Sequence, residues 1–411
     1  MTTFEAPRGT HDVVPAEQPL WRLVIGEAER LCSLYGYRAI QTPAFEDTAL
    51  FARTSGQGSD VVHKEMYTFA DRGGRSLTLR PEGTAPIARA YLQHGLHREA
   101  KPVKLYTIAT MYRYAAPQRG RYREHWQLSV EAIGSPEPAI DAELIQLYAE
   151  LLARLGATDY ELLLNSIGDA KCRPAYVERL SAWLDEHDDA LDDDARQKRA
   201  TSPLRVFDVK NPKVQQALTD APKIGEALCD ECRAHFEAVQ AYLEDYAIPY
   251  TVTPTLVRGL DYYTRTAFEF VDEAVGAQSS ICGGGRYDGL VEQIGGSPTP
   301  AIGFGAGIER LLLSLEAAGV TAEEPGLDVF VALLERDHKP RVLPLVADLR
   351  RRGLRVDVDY GGRSLKGQLD HARKRGAQTI VEWEPEESTL RRRGRPDERV
   401  PTAALAERLA Q

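Results

Sequence analysis

The sequence predicts an α+β protein: a sheet-centred body interrupted by a helical insertion, followed by a smaller α/β unit. Three observations predict it. Leu105 to Arg113 is rich in β-favouring residues, and after a loop Trp126, Leu128, Val130 and Ala132 alternate with His125, Gln127, Ser129 and Glu131, the period of two that makes a strand. From Lys171 to Tyr246 the pattern turns helical, broken by Pro203, Pro212 and Pro222, and sheet character returns at Tyr250. Beyond Gly326, apolar strands alternate with helices, the signature of a small α/β domain with a mostly parallel sheet.

Length supports several domains, since 411 residues exceed one typical core. Hydrophobic content of 43% and charged content of 27% are ordinary for a soluble enzyme, and no apolar run is long enough to span a bilayer. Met1 to Thr10 carries Glu5, Pro7 and Arg8 where a secretory leader needs an apolar stretch, so the chain is expected to be cytoplasmic, with no membrane partner. Five scattered cysteines agree with a reducing compartment and argue against a disulfide framework. The net charge of −10 is uneven. From Pro325 onward 18 Lys and Arg stand against 14 Asp and Glu, a net +4 that leaves the rest at −14, so an RNA partner stays open.

In chain order, Glu17 to Tyr35 repeats apolar residues at helical spacing and Gly36 ends that helix; Tyr37 to Thr42 reads as a strand stopped by Pro43. Leu77 to Thr84 carries a strand into a turn and a helix through Ala90, which Gly83 or Thr84 can cap. Glu82 and Thr84, beside exposed helix amides, can recognise an amine and a carboxylate together; simple capping is the alternative. Next comes the hairpin. Its polar face sets an imidazole, an amide, a hydroxyl and a carboxylate in a row, and its loop holds Arg113, Arg119, Arg121 and Arg123, a set suited to phosphate.

Ile140 to Leu155 is a helix and Tyr160 to Ile167 a strand. In the insertion, Cys229-Asp230-Glu231-Cys232, with His235 and Cys172, has the elements of a zinc site, but no second CxxC exists and the pair falls on an amphipathic helix. The cysteines are therefore expected to be small hydrophobes, and no metal ligands are assigned. Ala267 to Val271 is a strand, and Ile281 to Leu290 joins another to a turn through Gly283-Gly284-Gly285. In Ala301 to Arg310, alternating glycines bare one strand face for a flat ring such as adenine, and Arg310 in the next helix can cover it by cation–π stacking. The third unit reads as strands at Asp328 to Leu334, Arg355 to Asp359 and Gln378 to Trp383, with helices at Lys339 to Arg351 and Ser364 to Arg375. Around the second helix Arg363, Lys366, Arg373, Lys374 and Arg375 are suited to a phosphate backbone.

Together these stretches resemble the histidyl-tRNA synthetase family of class II aminoacyl-tRNA synthetases over nearly the whole chain. The helix and strand ending at Pro43 look like motif 1, the hairpin with Arg113 like motif 2, and Gly303 to Arg310 like motif 3. Leu256-Val257-Arg258-Gly259-Leu260-Asp261-Tyr262-Tyr263 and Gly284-Gly285-Arg286-Tyr287-Asp288-Gly289 resemble the histidine-specific signatures. The resemblance implies an antiparallel-sheet catalytic domain over 1–168 and 250–322, a helical insertion domain over 169–249 and an anticodon-binding α/β domain over 326–411, assembled as a homodimer.

It also implies a reaction: histidine and ATP form histidyl-adenylate and pyrophosphate, and histidine then passes to the 3′ end of histidine tRNA. Carried over, Arg113 and Arg258 are the catalytic pair. Glu82, Thr84, Arg113, Gln127, Glu131, Arg258, Tyr262, Tyr263 and Tyr287 hold histidine. Arg113, Arg121, Arg123 and Arg310 bind ATP, with Mg²⁺ bridging phosphate oxygens. Gln118 meets the tRNA acceptor end, while Ala116 stands where the family often has a basic residue. The basic run Arg391 to Arg395 departs from the usual ending of the anticodon domain. Two rival readings remain: a non-catalytic, histidine-binding regulatory subunit of an ATP phosphoribosyltransferase, and a sister synthetase such as the glycyl or prolyl enzyme. Retention of Arg113, Arg258, Arg310 and the basic tail speaks against the first, and the Arg258 to Tyr263 stretch against the second.

Overall fold

The computed structural model describes residues 4–54, 65–260, 262–276 and 279–410. The chain divides into two compact units, Met1–Ala322 and Glu323–Gln411. The first is organised by an eight-stranded sheet. Its strands run in the order Arg38–Ala39, Val103–Tyr112, Glu124–Ile133, Ala301–Gly307, Ser280–Arg286, Thr264–Val271, Glu161–Ser166 and Thr251–Val252. The inner pairings are antiparallel, and only the two-residue strands at the edges join in parallel. The predicted strand from Tyr37 to Thr42 thus shrinks to two residues.

One face of this sheet is the main core. Leu128, Val130 and Ala132 pack there with Ile302, Phe304 and Ala306, all at most 1% exposed, against the helices Gln18–Leu34, Pro138–Leu155 and Ile308–Ala317. Period two then forces the opposite set, Gln127, Ser129 and Glu131, onto the other face. In the register Glu131 lies opposite Gly303, Ser129 opposite Gly305 and Gln127 opposite Gly307, while Gly283 and Gly285 flank Gly305 and Gly303 on the next strand. The polar row therefore borders five positions that lack side chains. A separate three-stranded sheet, Phe45–Asp47, Ser76–Leu79 and Thr68–Ala70, leads into the helix Thr84–Gln93.

Between the strands Glu161–Ser166 and Thr251–Val252 lies the helical segment, with helices Arg173–Glu186, Asp193–Thr201, Pro212–Ala217 and Asp230–Asp245. Pro212 opens a helix at its first turn, where its missing N–H costs nothing. The segment has its own apolar cluster, including Tyr176, Leu180, Val206 and Ile224, whereas Val239 and Leu243 of its last helix join the main core.

The second unit carries a five-stranded sheet, Val356–Val358, Val329–Leu333, Thr379–Trp383, Glu387–Arg392 and Glu398–Pro401. Only the first two pairings are parallel; the last two form an antiparallel meander. The mostly parallel expectation is corrected there. The cause is the basic run: Arg391 and Arg392 sit in a strand, ion-paired to Glu382 and Glu398, and Gly394 makes the turn with φ +74°. Charged side chains on a solvent-facing strand hide its period of two. Of the five basic residues around the helix Leu365–Lys374, Arg363 and Arg373 are paired with Asp359 and Asp370, while Lys366, Lys374 and Arg375 are exposed.

Candidate active site

The glycine-bordered face of the large sheet is the floor of a pocket with a cavity volume of about 290 Å³, at the small end of the range for small-molecule sites. Its walls draw on the turn before the helix Thr84–Gln93, the hairpin, the Leu256-to-Tyr263 stretch and the glycine-rich strands, whereas the helix and strand ending at Pro43 and the Gly284-to-Gly289 block give it no lining residue among the described ones. Glu82, Thr84, Arg113, Arg121, Gln127, Arg258, Tyr262, Tyr263 and Arg310 all line it. Glu131 and Tyr287 stand behind that lining, and Gln118 and Arg123 lie outside it. Asp261 lies outside the described residues.

Glu82 is positioned by the helix it precedes. Its carboxylate accepts the backbone N–H groups of Thr84 at 2.6 Å and Ala85 at 3.0 Å, so it caps the helix Thr84–Gln93, and it still lines the pocket. Capping and a wall position coexist. Burial raises its carboxyl above the ordinary range, opposed by those N–H groups and by Arg113. Thr84 donates its hydroxyl to Glu131 at 2.7 Å, and Tyr287 donates to the other Glu131 oxygen at 2.6 Å. Glu131 is thus a hub beneath the wall that orients Thr84 and Tyr287.

Burial pushes the Glu131 carboxyl from 4.5 up to about 8. A carboxyl whose folded value is raised stabilises the fold below its unfolded value, and that contribution is lost as pH rises through the folded one. The unfolding free energy of the ligand-free chain is therefore expected to decline between about pH 5 and pH 8, and Glu131→Gln to flatten the decline. Urea titrations of both proteins across that interval test this, and parallel pH profiles would count against it.

The arginines are held differently from one another. Arg113 donates Nε to the Pro81 carbonyl at 2.7 Å. Arg310 donates to the carbonyls of Gly120 at 2.9 Å and Ser280 at 2.7 Å, which ties the hairpin turn to the glycine-rich strand. Burial and the charges of Arg113 and Arg121 lower its guanidinium to about 10, which leaves it charged at neutral pH. Arg258 lies over Gly283 with Nη1 3.3 Å from Glu269, and a side chain at Gly283 would overlap its guanidinium. Arg121 pairs with Glu65 at 2.6 Å. Arg123 instead packs 4.0 Å from the Tyr114 ring and donates to the Ala115 carbonyl, which turns it from the pocket. Gln118 is exposed in the turn, bridged to Arg121.

The space above the glycines is not all free for a ring. Gln127 occupies the room over Gly305 and Glu131 that over Gly303, while at Gly307 the nearest group is Arg310 at 3.8 Å. Among the wall residues without an assigned role, His125 and Glu309 are ionisable and shifted. His125 is a neutral imidazole: burial first, then Arg113, Arg310 and Arg121, lower it to about 3. Glu309 accepts the Trp126 N–H at 2.8 Å, and burial raises it to about 7. A carboxylate one residue before the predicted ring-covering arginine was the available signal. His235 turns from the cysteines to Asp141 at 2.8 Å, and Asp141 also binds Arg286 and accepts from Thr266 at 2.6 Å. Burial raises the Asp141 carboxyl, but Arg286 and His235 outweigh it and hold the group below its usual value. Arg286 is therefore a buried tie, with Tyr287 beside it serving the pocket.

A pocket with four guanidinium groups against two lining carboxylates suits a ligand that combines an anionic part with a cationic one. Comparison with known proteins agrees. A family model described as histidyl-tRNA synthetase matches residues 9–311, and one described as anticodon binding domain matches 328–411. A histidine–tRNA ligase of Caldanaerobacter subterraneus subsp. tengcongensis is 47% identical over 92% of this chain and 91% of its own length. One from Moorella thermoacetica is also 47% identical, over 98% and 96%. Among solved structures, the apo histidyl-tRNA synthetase of S. aureus covers all of both chains at 35% identity with a TM-score of 0.84.

Proposed function

This chain belongs to the histidyl-tRNA synthetase family, and from that premise we propose how its residues divide the work. As a histidine–tRNA ligase it activates L-histidine with ATP to histidyl-adenylate and pyrophosphate, then transfers histidine to the 3′ end of histidine tRNA. The observation that carries the division of labour is the convergence of Glu82, Thr84, Gln127 and Tyr263 with Arg113, Arg121, Arg258 and Arg310 on one pocket.

Attack of a carboxylate on the α-phosphate brings two anions together, so fixed positive charge in a partly dry site lowers the barrier. Each preorganised arginine is worth roughly 3 to 4 kcal/mol if it behaves like an oxyanion donor. Arg113 and Arg258 fill that role. Glu82 receives the histidine ammonium, with Glu131 holding Thr84 and Tyr287 in place behind it. Gln127, Tyr262, Tyr263 and Tyr287 complete the histidine site, and hydrogen bonds to both ring nitrogens reject analogues lacking them by about 10⁴-fold or more without editing. Arg310 and the open backbone at Gly307 take adenine, and Arg121 the phosphates. Arg123 acts by ordering the loop. Mg²⁺ enters with ATP, and Glu309, a carboxylate in the wall, is the protein group that fits it. Gln118, exposed in the hairpin turn, meets the acceptor end.

The second unit takes the anticodon of the tRNA, the role for which its family model is described. The chain works as a homodimer in the cytoplasm. The exposed pair Phe45 and Phe69, 50% and 43% accessible with ring centroids 6.4 Å apart, supports burial against a second copy. No helix among the described residues is long and apolar enough to cross a membrane.

ATP–pyrophosphate exchange with each amino acid in turn is expected to depend on histidine alone; exchange indifferent to histidine would overturn the reading. Arg310→Ala is expected to raise the KM for ATP about tenfold and leave that for histidine near the parent value. Equal changes in both constants would move Arg310 out of the adenine role.

A further inference from the structure

Where the helical segment leaves the sheet and where its last helix begins, Asp169, Cys172, Cys229 and Cys232 come together, their ligand atoms all within 4.8 Å of one another. We propose that these four side chains form a binding site for a thiophilic divalent cation, zinc before others, that fastens the start of the helical segment to the start of its last helix.

Three sulfurs and one carboxylate oxygen match the tetrahedral coordination and borderline softness of Zn²⁺. Zn–S bonds of about 2.3 Å at tetrahedral angles set sulfurs about 3.8 Å apart. Here Cys172 Sγ lies 3.9 Å from Cys232 Sγ and 3.7 Å from Asp169 Oδ1, so closure around an ion asks for small movements. The same 3.9 Å is far too long for a disulfide, which needs about 2.0 Å.

A ligating carboxylate is held in turn by its neighbours in built metal sites. Asp169 accepts the Lys171 N–H at 2.9 Å and lies 3.3 Å from the Arg265 guanidinium. Arg265 also supplies positive charge beside a site whose four anionic ligands exceed the charge of one divalent ion, while the charge of Lys171 is taken up by Glu231. Chain geometry adds a reason for the site. Cys229 and Cys232 lie at the start of the helix Asp230–Asp245, and Cys172 immediately precedes the helix Arg173–Glu186. One ion would close the long loop between them and so reduce the freedom of the unfolded chain. Nearby, Arg173 donates to the carbonyls of Gly168 at 3.0 Å and Tyr263 at 2.6 Å, so the fastening sits one side chain away from a wall of the active-site pocket.

The test uses the full chain, purified under reductant, stripped with a chelator and titrated with zinc and with cobalt(II). Stoichiometric zinc binding is expected, with a rise in melting temperature, and the cobalt form should show thiolate charge-transfer and intense tetrahedral ligand-field bands. Cys229→Ser, at a half-buried position, is expected to weaken zinc at least about 100-fold. Cys229→His keeps a ligand there and is expected to retain the ion with an altered cobalt spectrum, whereas loss of fold alone would affect both variants alike. Cys282→Ser, outside the cluster, should bind as the parent does. The proposal fails if the parent retains neither metal, if Cys229→Ser binds zinc unchanged, if Cys229→His loses the ion as Cys229→Ser does, or if thiol-blocked protein isolated without air contains a disulfide within the cluster.

Discussion

Arg258→Ala is expected to lower histidine-dependent ATP–pyrophosphate exchange at least about 100-fold, with circular dichroism unchanged. The guanidinium is held in the pocket wall over Gly283, and one of its nitrogens lies 3.3 Å from Glu269. Its Nε finds no hydrogen-bond partner among the described residues, a cost that a bound anion would relieve. Removing the side chain takes away charge where two anions must approach, so the loss should fall on the rate of adenylation. Glu269 is itself 20% exposed and can be solvated once its partner is gone, which is why the fold should survive. Arg258→Lys keeps the charge without the planar fork and should recover only part of the rate. Exchange at the parent rate in Arg258→Ala would remove this residue from the mechanism.

The second large effect concerns a residue with no side chain. In Gly303→Ala the added methyl would sit 1.7 Å from a Glu131 carboxylate oxygen and 2.8 Å from the Val130 carbonyl, so the carboxylate or the strand must move. Overpacking of this kind costs about 1 to 3 kcal/mol. A displaced Glu131 also releases Thr84 and Tyr287, so the KM for histidine should rise at least about tenfold while that for ATP changes little. The same substitution at Gly26, exposed on the helix Gln18–Leu34 with nothing within 4 Å, should stabilise by about 0.5 to 1 kcal/mol. Equal and small effects at the two glycines, read by denaturant titration and by histidine saturation curves, would refute the steric argument.

The sheet and its polar face were legible because alternation in Trp126 to Glu131 is a direct imprint of one buried and one functional side. The helix Lys339–Arg351 was legible in full, its ends marked by Pro340 at the first turn and arginines at the last. Less visible were features set by contacts distant in sequence. That Arg123 stacks on Tyr114 while Arg121 pairs with Glu65 and reaches the pocket depends on partners outside the loop's own spacing, which treats the two arginines alike. Glu131 was expected beside the substrate because it shares a face with Gln127; that it lies one layer deeper depends on Thr84, forty-seven positions earlier, and on Tyr287. The meander closing the second unit was hidden by the charge of its own strand. Asp169 joins the three cysteines only because the helical segment returns to its point of departure.

The Gly283-to-Tyr287 stretch also limits how this pocket can be re-aimed at another amino acid. Along it, Gly283 and Gly285 make room for Arg258 and Tyr263, Gly284 abuts the Gly303 carbonyl and Phe268, Arg286 is locked to Asp141, and Tyr287 reaches Glu131. Neighbouring letters of one motif thus answer to different masters. A library that randomises the block would discard most members for faults of folding before selectivity was ever sampled. Diversity confined to Tyr263 and Gln127, which line the pocket, with Arg286, Tyr287 and the glycines fixed, samples ligand preference with fewer losses of fold.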